Sequence, residues 1–204
     1  MAIESIAKVG VKGKSGRGFW VGSPGVGLIV TAAHCLPHYP PREGDVAFSH
    51  ERTYRDLVAR LDGKGACWVE CIFLDPVADL AVLAEPDNQS LYEESCKFSD
   101  FASRSGFLEI GSLADGETPV RIMLNNSESI PCIVETNSRP YSRTFVIKKT
   151  DREIKGGMSG SPILTDDGKV VGVICNNATG PILSRCLPPW ITNLAKTARE
   201  KFAF

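Results

Sequence analysis

Apolar residues along this chain fall in short runs rich in Val, Ile, Phe and Leu, separated by clusters of Gly, Asp, Asn and Pro. Such runs between turn-forming residues predict β-strands, and their succession predicts barrels rather than βαβ units. The expected fold class is all-β. One hairpin is legible in detail, with Ile163-Leu164-Thr165 and Lys169-Val170-Val171-Gly172-Val173-Ile174-Cys175 flanking a turn at Asp167-Gly168. Strand candidates before about residue 100 form one lobe, and those from about 107 to 186 form a second. Between them, the polar stretch from Asn88-Gln89-Ser90 to Ser103-Arg104-Ser105-Gly106 predicts a crossover connection. The end of the chain breaks the pattern. After Pro188-Pro189, the apolar residues Trp190, Ile191, Leu194, Ala195, Ala198 and Phe202 recur at helical spacing, which predicts an amphipathic helix over about 189–202 docked on its own domain.

Just ahead of the hairpin stands Gly156-Gly157-Met158-Ser159-Gly160-Ser161-Pro162. A serine hydroxyl attacks a carbonyl usefully only when a base takes its proton and N–H groups stabilise the oxyanion that forms. Gly157 is free to take dihedrals that aim its N–H and that of Ser159 at one point, and Gly160 leaves the hydroxyl accessible. A Gly-Ser cluster alone more often marks an ordinary turn, so the reading depends on a partner base. Of the histidines at 34, 38 and 50, His34 ends the apolar run of Ile29-Val30-Thr31-Ala32-Ala33-His34-Cys35, where small neighbours let the backbone pack tightly beneath a rigid imidazole. His38 and His50 lie in polar, Pro-rich or charged surroundings and are expected at the surface. The candidate to orient His34 is Asp79, which leads straight into the apolar run Leu80-Ala81-Val82-Leu83-Ala84. Burying that carboxylate is costly unless it is paired, and accepting a histidine N–H offsets the cost. Asp75 is the rival, but a residue before proline suits an extended or turn position better.

Thr31-Ala32-Ala33-His34-Cys35, Asp79-Leu80-Ala81-Val82-Leu83 and Gly157-Met158-Ser159-Gly160, in that order, resemble the histidine, aspartate and nucleophile motifs of the chymotrypsin-like (trypsin-like) serine protease family. The likeness runs across nearly the whole chain. It is closest to bacterial stand-alone proteases and to the protease domain of the high-temperature-requirement group, through Thr150-Asp151, Ile154 and Gly157 ahead of the serine and Leu-Ala-Val-Leu after Asp79. The resemblance implies a single peptidase domain over 1–204, built as two perpendicular six-stranded Greek-key barrels with a C-terminal helix. It implies a serine endopeptidase acting on a polypeptide without a cofactor. His34 would serve as general base and acid, Asp79 would orient it, Ser159 would attack, and the N–H groups of Gly157 and Ser159 would form the oxyanion hole. The pocket for the side chain before the scissile bond would lie between Asp151 to Lys155 and Cys175 to Gly180, Cys175 among its residues, with Asn176, Asn177 and backbone groups there pairing with an extended peptide as an added strand. Glu153 either sits at the pocket floor, favouring Arg or Lys substrates, or points to solvent beside Arg152 and Lys155; the mixed charge of that loop favours solvent.

Two departures from the animal digestive branch change the picture. Those enzymes tie the cysteine of the histidine motif to an earlier cysteine; here Phe19 and Trp20 occupy that region, so Cys35 is expected to be a buried thiol. Met158 stands where they carry an aspartate that pairs with a newly cut amino terminus. A thioether cannot bind an ammonium, so something else must order the oxyanion loop. The departure keeps an alternative open: a catalytically latent peptide-binding or regulatory domain on the same fold, alone or fused to a regulatory partner domain.

Composition narrows the partners. The chain has 204 residues, 43% of them hydrophobic, enough for sizeable cores. Its 23 basic and 24 acidic side chains give no net field for nucleic acid or an anionic membrane, and its apolar runs fall short of the ~20 residues a membrane helix needs. The amino terminus lacks the basic, apolar and small-residue succession of a signal peptide, which predicts a cytoplasmic home. Seven cysteines show neither disulfide-scaffold nor zinc spacing, so no metal is expected; Cys67 and Cys71 would share one face of an alternating strand as structural thiols.

Overall fold

The computed structural model of the chain describes residues 4–11, 14–23, 25–37, 52–136, 142–176 and 178–202. His38, His50 and Asn177 lie outside these residues. Six strands, β1 (Ile6–Val11), β2 (Lys14–Ser23), β3 (Val26–Ala32), β4 (Thr53–Ala59), β5 (Cys67–Asp75) and β6 (Leu80–Ala84), close into an antiparallel barrel in the order β1-β2-β3-β6-β5-β4. Alternation along β5 turns Cys67, Val69 and Cys71 inward, so the two thiols do share one buried face. Phe19, Ile29, Val30, Leu80 and Leu83 complete that core, each fully or almost fully excluded from solvent.

A second set of six, β7 (Gly116–Asn125), β8 (Glu128–Thr136), β9 (Thr144–Thr150), β10 (Pro162–Leu164), β11 (Val170–Val173) and β12 (Thr179–Pro181), pairs in the order β11-β10-β7-β8-β9-β12. A bridge between Gly172 and Ile182 draws its edges together, so this antiparallel barrel is nearly closed. Ile122, Val134, Phe145, Ile163 and Val171 fill it. The β10–β11 hairpin turns at Asp167-Gly168, with Gly168 at φ +80° and its N–H donating to the Thr165 carbonyl. The two barrels with a C-terminal helix match the architecture the motifs implied.

The connection between barrels runs through the expected crossover stretch but is not without structure of its own. It contains α1 (Tyr92–Ser103), whose Ser95, Phe98 and Ala102 are buried at helical spacing. The other positions of that helix are mostly charged or polar and face water, which is why the stretch reads as polar overall. Phe98, Phe101 and Phe107 surround the fully buried Trp20, with ring centroids 5.3, 5.3 and 6.0 Å away. After a single helical turn, α2 (Leu183–Cys186), comes α3 (Pro189–Phe202), which begins at a proline, as a helix tolerates in its first turn. α3 packs on β2 and β3 through Ile191 and Ala195, whereas Trp190 and Leu194, expected on the docking face, are exposed. Among the described residues no helix is long and apolar enough to cross a membrane.

Candidate active site

His34 sits in a single 3-10 turn, Ala33–Cys35, directly after β3, and Asp79 sits in the turn that leads into β6. Because β3 and β6 are paired, with Ala32 opposite Leu80, the two turns lie side by side. Asp79 then grips the histidine turn three times. Its carbonyl accepts the Ala33 N–H at 3.1 Å, its Oδ1 accepts the His34 N–H at 2.9 Å, and its Oδ2 stands 2.7 Å from His34 Nδ1. Asp79 holds φ +56°, a left-handed conformation that costs a non-glycine residue about 1–2 kcal/mol and persists where the surroundings over-determine it. The bond to Asp79, then the neighbouring Cys35 thiol, raise the His34 pKa from its ordinary 6.5 to about 10, against the opposing effect of burial. The rival Asp75 is engaged elsewhere. Its Oδ1 accepts the N–H groups of Val77 and Ala78, and its Oδ2 pairs with Arg143 Nη2 at 2.9 Å.

Ser159 lies in the loop before β10, supported from behind by bonds from Gly160 N–H to the Ile174 carbonyl at 2.7 Å and from Ile174 N–H to the Ser161 carbonyl at 2.9 Å. Gly157 and Gly160 take φ +85° and +83°. At Gly160 the reason is visible: an added Cβ would stand 1.7 Å from the Arg17 carbonyl. Met158 is partly buried against the second barrel's core; its N–H donates to the Lys155 carbonyl at 3.2 Å, and its sulfur accepts the Lys155 N–H at 3.4 Å. Among the described residues, the N–H groups of Gly157 and Ser159 donate to no protein acceptor. The Ser159 hydroxyl donates to the Cys175 carbonyl at 3.3 Å and makes no hydrogen bond to His34. Histidine, aspartate and serine are thus brought together where the barrels meet, with Cys175 bonded to both Asp79 and Ser159.

The sequence from residue 16 to 173 matches the family described as trypsin-like peptidase domain. The chain belongs to that family. Among solved structures, it resembles the Rv3671c protease of M. tuberculosis in an inactive form (17% identity, TM-score 0.56, covering 98% of this chain and 89% of that one). It also resembles the serine protease domain of the Sesbania mosaic virus polyprotein (13%, 0.54, 93% and 90%) and a serine protease of a human pathogenic astrovirus (15%, 0.51, 90% and 93%). Identities this low speak for the shared fold. A search of curated proteins finds no match.

This trypsin-like peptidase domain leaves its expected pocket residues scattered. Asp151, Arg152, Glu153 and Lys155 are exposed, and only Ile154 between them is buried. Arg152 pairs with Glu128 at 2.7 Å rather than with Glu153. The N–H groups of Cys175 and Asn176 both donate to the Thr179 carbonyl, at 3.3 and 3.2 Å, so an added peptide strand meets donors already engaged. Cys175 does more than line a wall: its thiol donates to the Asp79 carbonyl at 3.1 Å while its own carbonyl accepts the Ser159 hydroxyl. Cys35 is buried and unpaired, as expected. Two cavities of about 740 and 590 Å³ lie elsewhere, one beneath α3 beside Leu108 and Lys169, the other between β1 and α1 beside Arg60 and Phe101.

Arg17 was missed from sequence. It projects from β2 between Gly16 and Gly18, and its Nη1 donates to the Gly157 carbonyl at 2.6 Å across 140 residues. A charged residue between two glycines within a strand is a signal of close backbone approach. At Gly16 an added Cβ would stand 2.4 Å from Cys35 Sγ and 2.7 Å from the Ser159 carbonyl.

Proposed function

We propose that this domain is a serine endopeptidase that hydrolyses peptide bonds through His34, Asp79 and Ser159 and an acyl-enzyme intermediate. The observation that carries the reading is the threefold grip of Asp79 on the turn of His34, near a serine loop whose Gly157 and Ser159 N–H groups meet no acceptor among the described residues. The mechanism requires the Ser159 hydroxyl to leave the Cys175 carbonyl and bond His34 Nε2, and rotation about χ1 is the motion a serine has for this. His34 then takes the hydroxyl proton as Oγ attacks the substrate carbonyl, and the N–H groups of Gly157 and Ser159 hold the oxyanion. The imidazolium, stabilised by Asp79, gives its proton to the leaving amine. Water, deprotonated by the same histidine, releases the acid product and restores Ser159.

The serine's bond to Cys175 favours a second reading, a latent peptide-binding or regulatory domain in which the hydroxyl stays turned away. Treating the chain and its Ser159→Ala variant with a fluorophosphonate probe, then with a mixed peptide library, separates the two. A stable adduct and cleavage that both vanish in Ser159→Ala support the endopeptidase. Equal, background labelling of both chains and no cleavage leave the latent domain.

A further inference from the structure

The loss of an aspartate at Met158 raises the question of what orders the oxyanion loop, and the bonds around that residue answer it. The peptide group joining Gly157 to Met158 carries one donor and one acceptor pointing in opposite directions. Its N–H is tied to the Lys155 carbonyl at 3.2 Å, and its C=O to Arg17 Nη1 at 2.6 Å. Flipping that plane would break both bonds. On the far side of Met158, the Ser159 carbonyl accepts the Arg17 backbone N–H at 2.7 Å. Arg17 therefore brackets Met158, its side chain holding the carbonyl before and its main chain the carbonyl after. The two N–H groups left free for an oxyanion belong to the residues whose carbonyls are held.

Arg17 is itself fixed. Its carbonyl accepts the buried Thr31 hydroxyl at 2.6 Å, and Gly160 has no Cβ to keep the strand away. The guanidinium is half-buried, and its Nε is buried without a hydrogen-bond partner. Burial lowers its pKa, while the carboxylate of Glu128, at the start of β8, opposes that. A long cation brought into this position at a desolvation cost, with one nitrogen left unsatisfied, is a poor stabiliser of the fold. It is well suited to fixing one carbonyl.

We propose that Arg17 is a positioning residue that locks the oxyanion loop from the opposite barrel, so that the site is ordered without cleavage of the chain. The proposal rests on the endopeptidase reading for its consequence in catalysis, but the lock itself is a property of the loop and is measured separately. With Arg17 removed, the Gly157–Met158 peptide keeps only the Lys155 bond, and the donors beside it lose their fixed aim.

The experiment compares the native chain with Arg17→Ala and Arg17→Lys by two readouts: the second-order rate of fluorophosphonate labelling across pH, and amide hydrogen exchange of peptides covering residues 155–161. Arg17→Ala is expected to label about tenfold to a hundredfold more slowly, somewhat less than the loss of an oxyanion donor itself. The midpoint of its pH profile stays in place, because His34 and Asp79 are untouched. Millimolar guanidinium restores part of the rate, and Arg17→Lys retains part. Exchange of the Met158 and Ser161 amides accelerates, while that of β7 and β8 does not. Labelling within twofold of the native rate together with unchanged exchange over 155–161 overturns the lock. A native chain that fails to label overturns the endopeptidase reading instead, and the exchange result alone then decides the lock. If Arg17→Ala exchanges faster throughout both barrels, a third variant, Arg17→Met, which keeps the packing of the stem without the cation, decides: faster exchange confined to residues 155–161 with slowed labelling supports the lock, and native-like loop exchange with a native labelling rate overturns it.

Discussion

Asp79 holds His34 with bonds made inside one barrel, between turns already aligned by the pairing of β3 with β6. The upstream half of the serine loop is instead held by Arg17 from the other barrel, and the serine hydroxyl rests on a carbonyl rather than on the base. The acid–base half is thus assembled wherever the first barrel folds. The serine loop has bonds of its own to Ile174 and Lys155, but the carbonyls of Gly157 and Ser159 find their partner only across the junction of the barrels. If Arg17 locks this loop as proposed, a packing contact does here what an aspartate is expected to do in the digestive branch.

The sharpest test removes one member from each half. Ser159→Ala is expected to lose on the order of 10⁶ in kcat and to form no fluorophosphonate adduct, with a nearly unchanged denaturation midpoint, since its only side-chain bond is the 3.3 Å contact to Cys175. His34→Ala should lose a comparable factor, because nucleophile and base act as a unit. If either variant keeps a tenth of the native rate, the site lies elsewhere.

Asp79→Asn probes the preassembled half and is expected to lose about 10⁴ in kcat. Its signature is in the pH profile. The active base is neutral imidazole, so activity disappears as pH falls through the His34 pKa, which Asp79 holds near about 10. Replacing the carboxylate moves that limb down toward the ordinary 6.5. Stability runs the opposite way: a raised folded-state pKa contributes fully below the unfolded value, and that contribution is lost as pH rises through the folded one. An acid limb that stays in place in Asp79→Asn breaks the pairing seen here.

Contact between barrels is tested at Gly160. A Cβ there meets the Arg17 carbonyl at 1.7 Å, on a backbone at φ +83°, so Gly160→Ala combines a clash with strain and should cost about 2–4 kcal/mol in urea unfolding. Gly168→Ala carries similar strain, at φ +80°, with nothing within 4 Å, and should cost only about 1 kcal/mol. Equal costs at the two positions would show that the close approach of β2 to the serine loop contributes little.

What the sequence disclosed follows the range of the signals. The pairing of His34 with Asp79 was legible because each sits in a local motif, and the Asp167-Gly168 turn because it needs a left-handed glycine. Helix α1 was not legible: its buried Ser95, Phe98 and Ala102 form a narrow stripe in an otherwise polar stretch, and the partner that explains the stripe, Trp20, is far upstream. Arg17 was harder still. Its role exists only in a contact spanning 140 residues; the flanking Gly16 and Gly18 signal that another backbone comes close, but not which one.

The smallest effect is expected at Glu153, where the sequence left two orientations open. A carboxylate that selects Arg or Lys must face a pocket from which water is largely removed, because exposed charges attract one another weakly. Glu153 is exposed, in a loop where Arg152 turns away to Glu128 and only Ile154 points into the protein. Glu153→Gln should therefore change kcat/KM on substrates with Arg or Lys before the scissile bond by less than about twofold relative to apolar ones. A selective loss of tenfold or more on basic substrates would mean that the loop closes around the substrate and carries Glu153 inward, making the serine side of the cleft more mobile than its bonds to Arg17 imply.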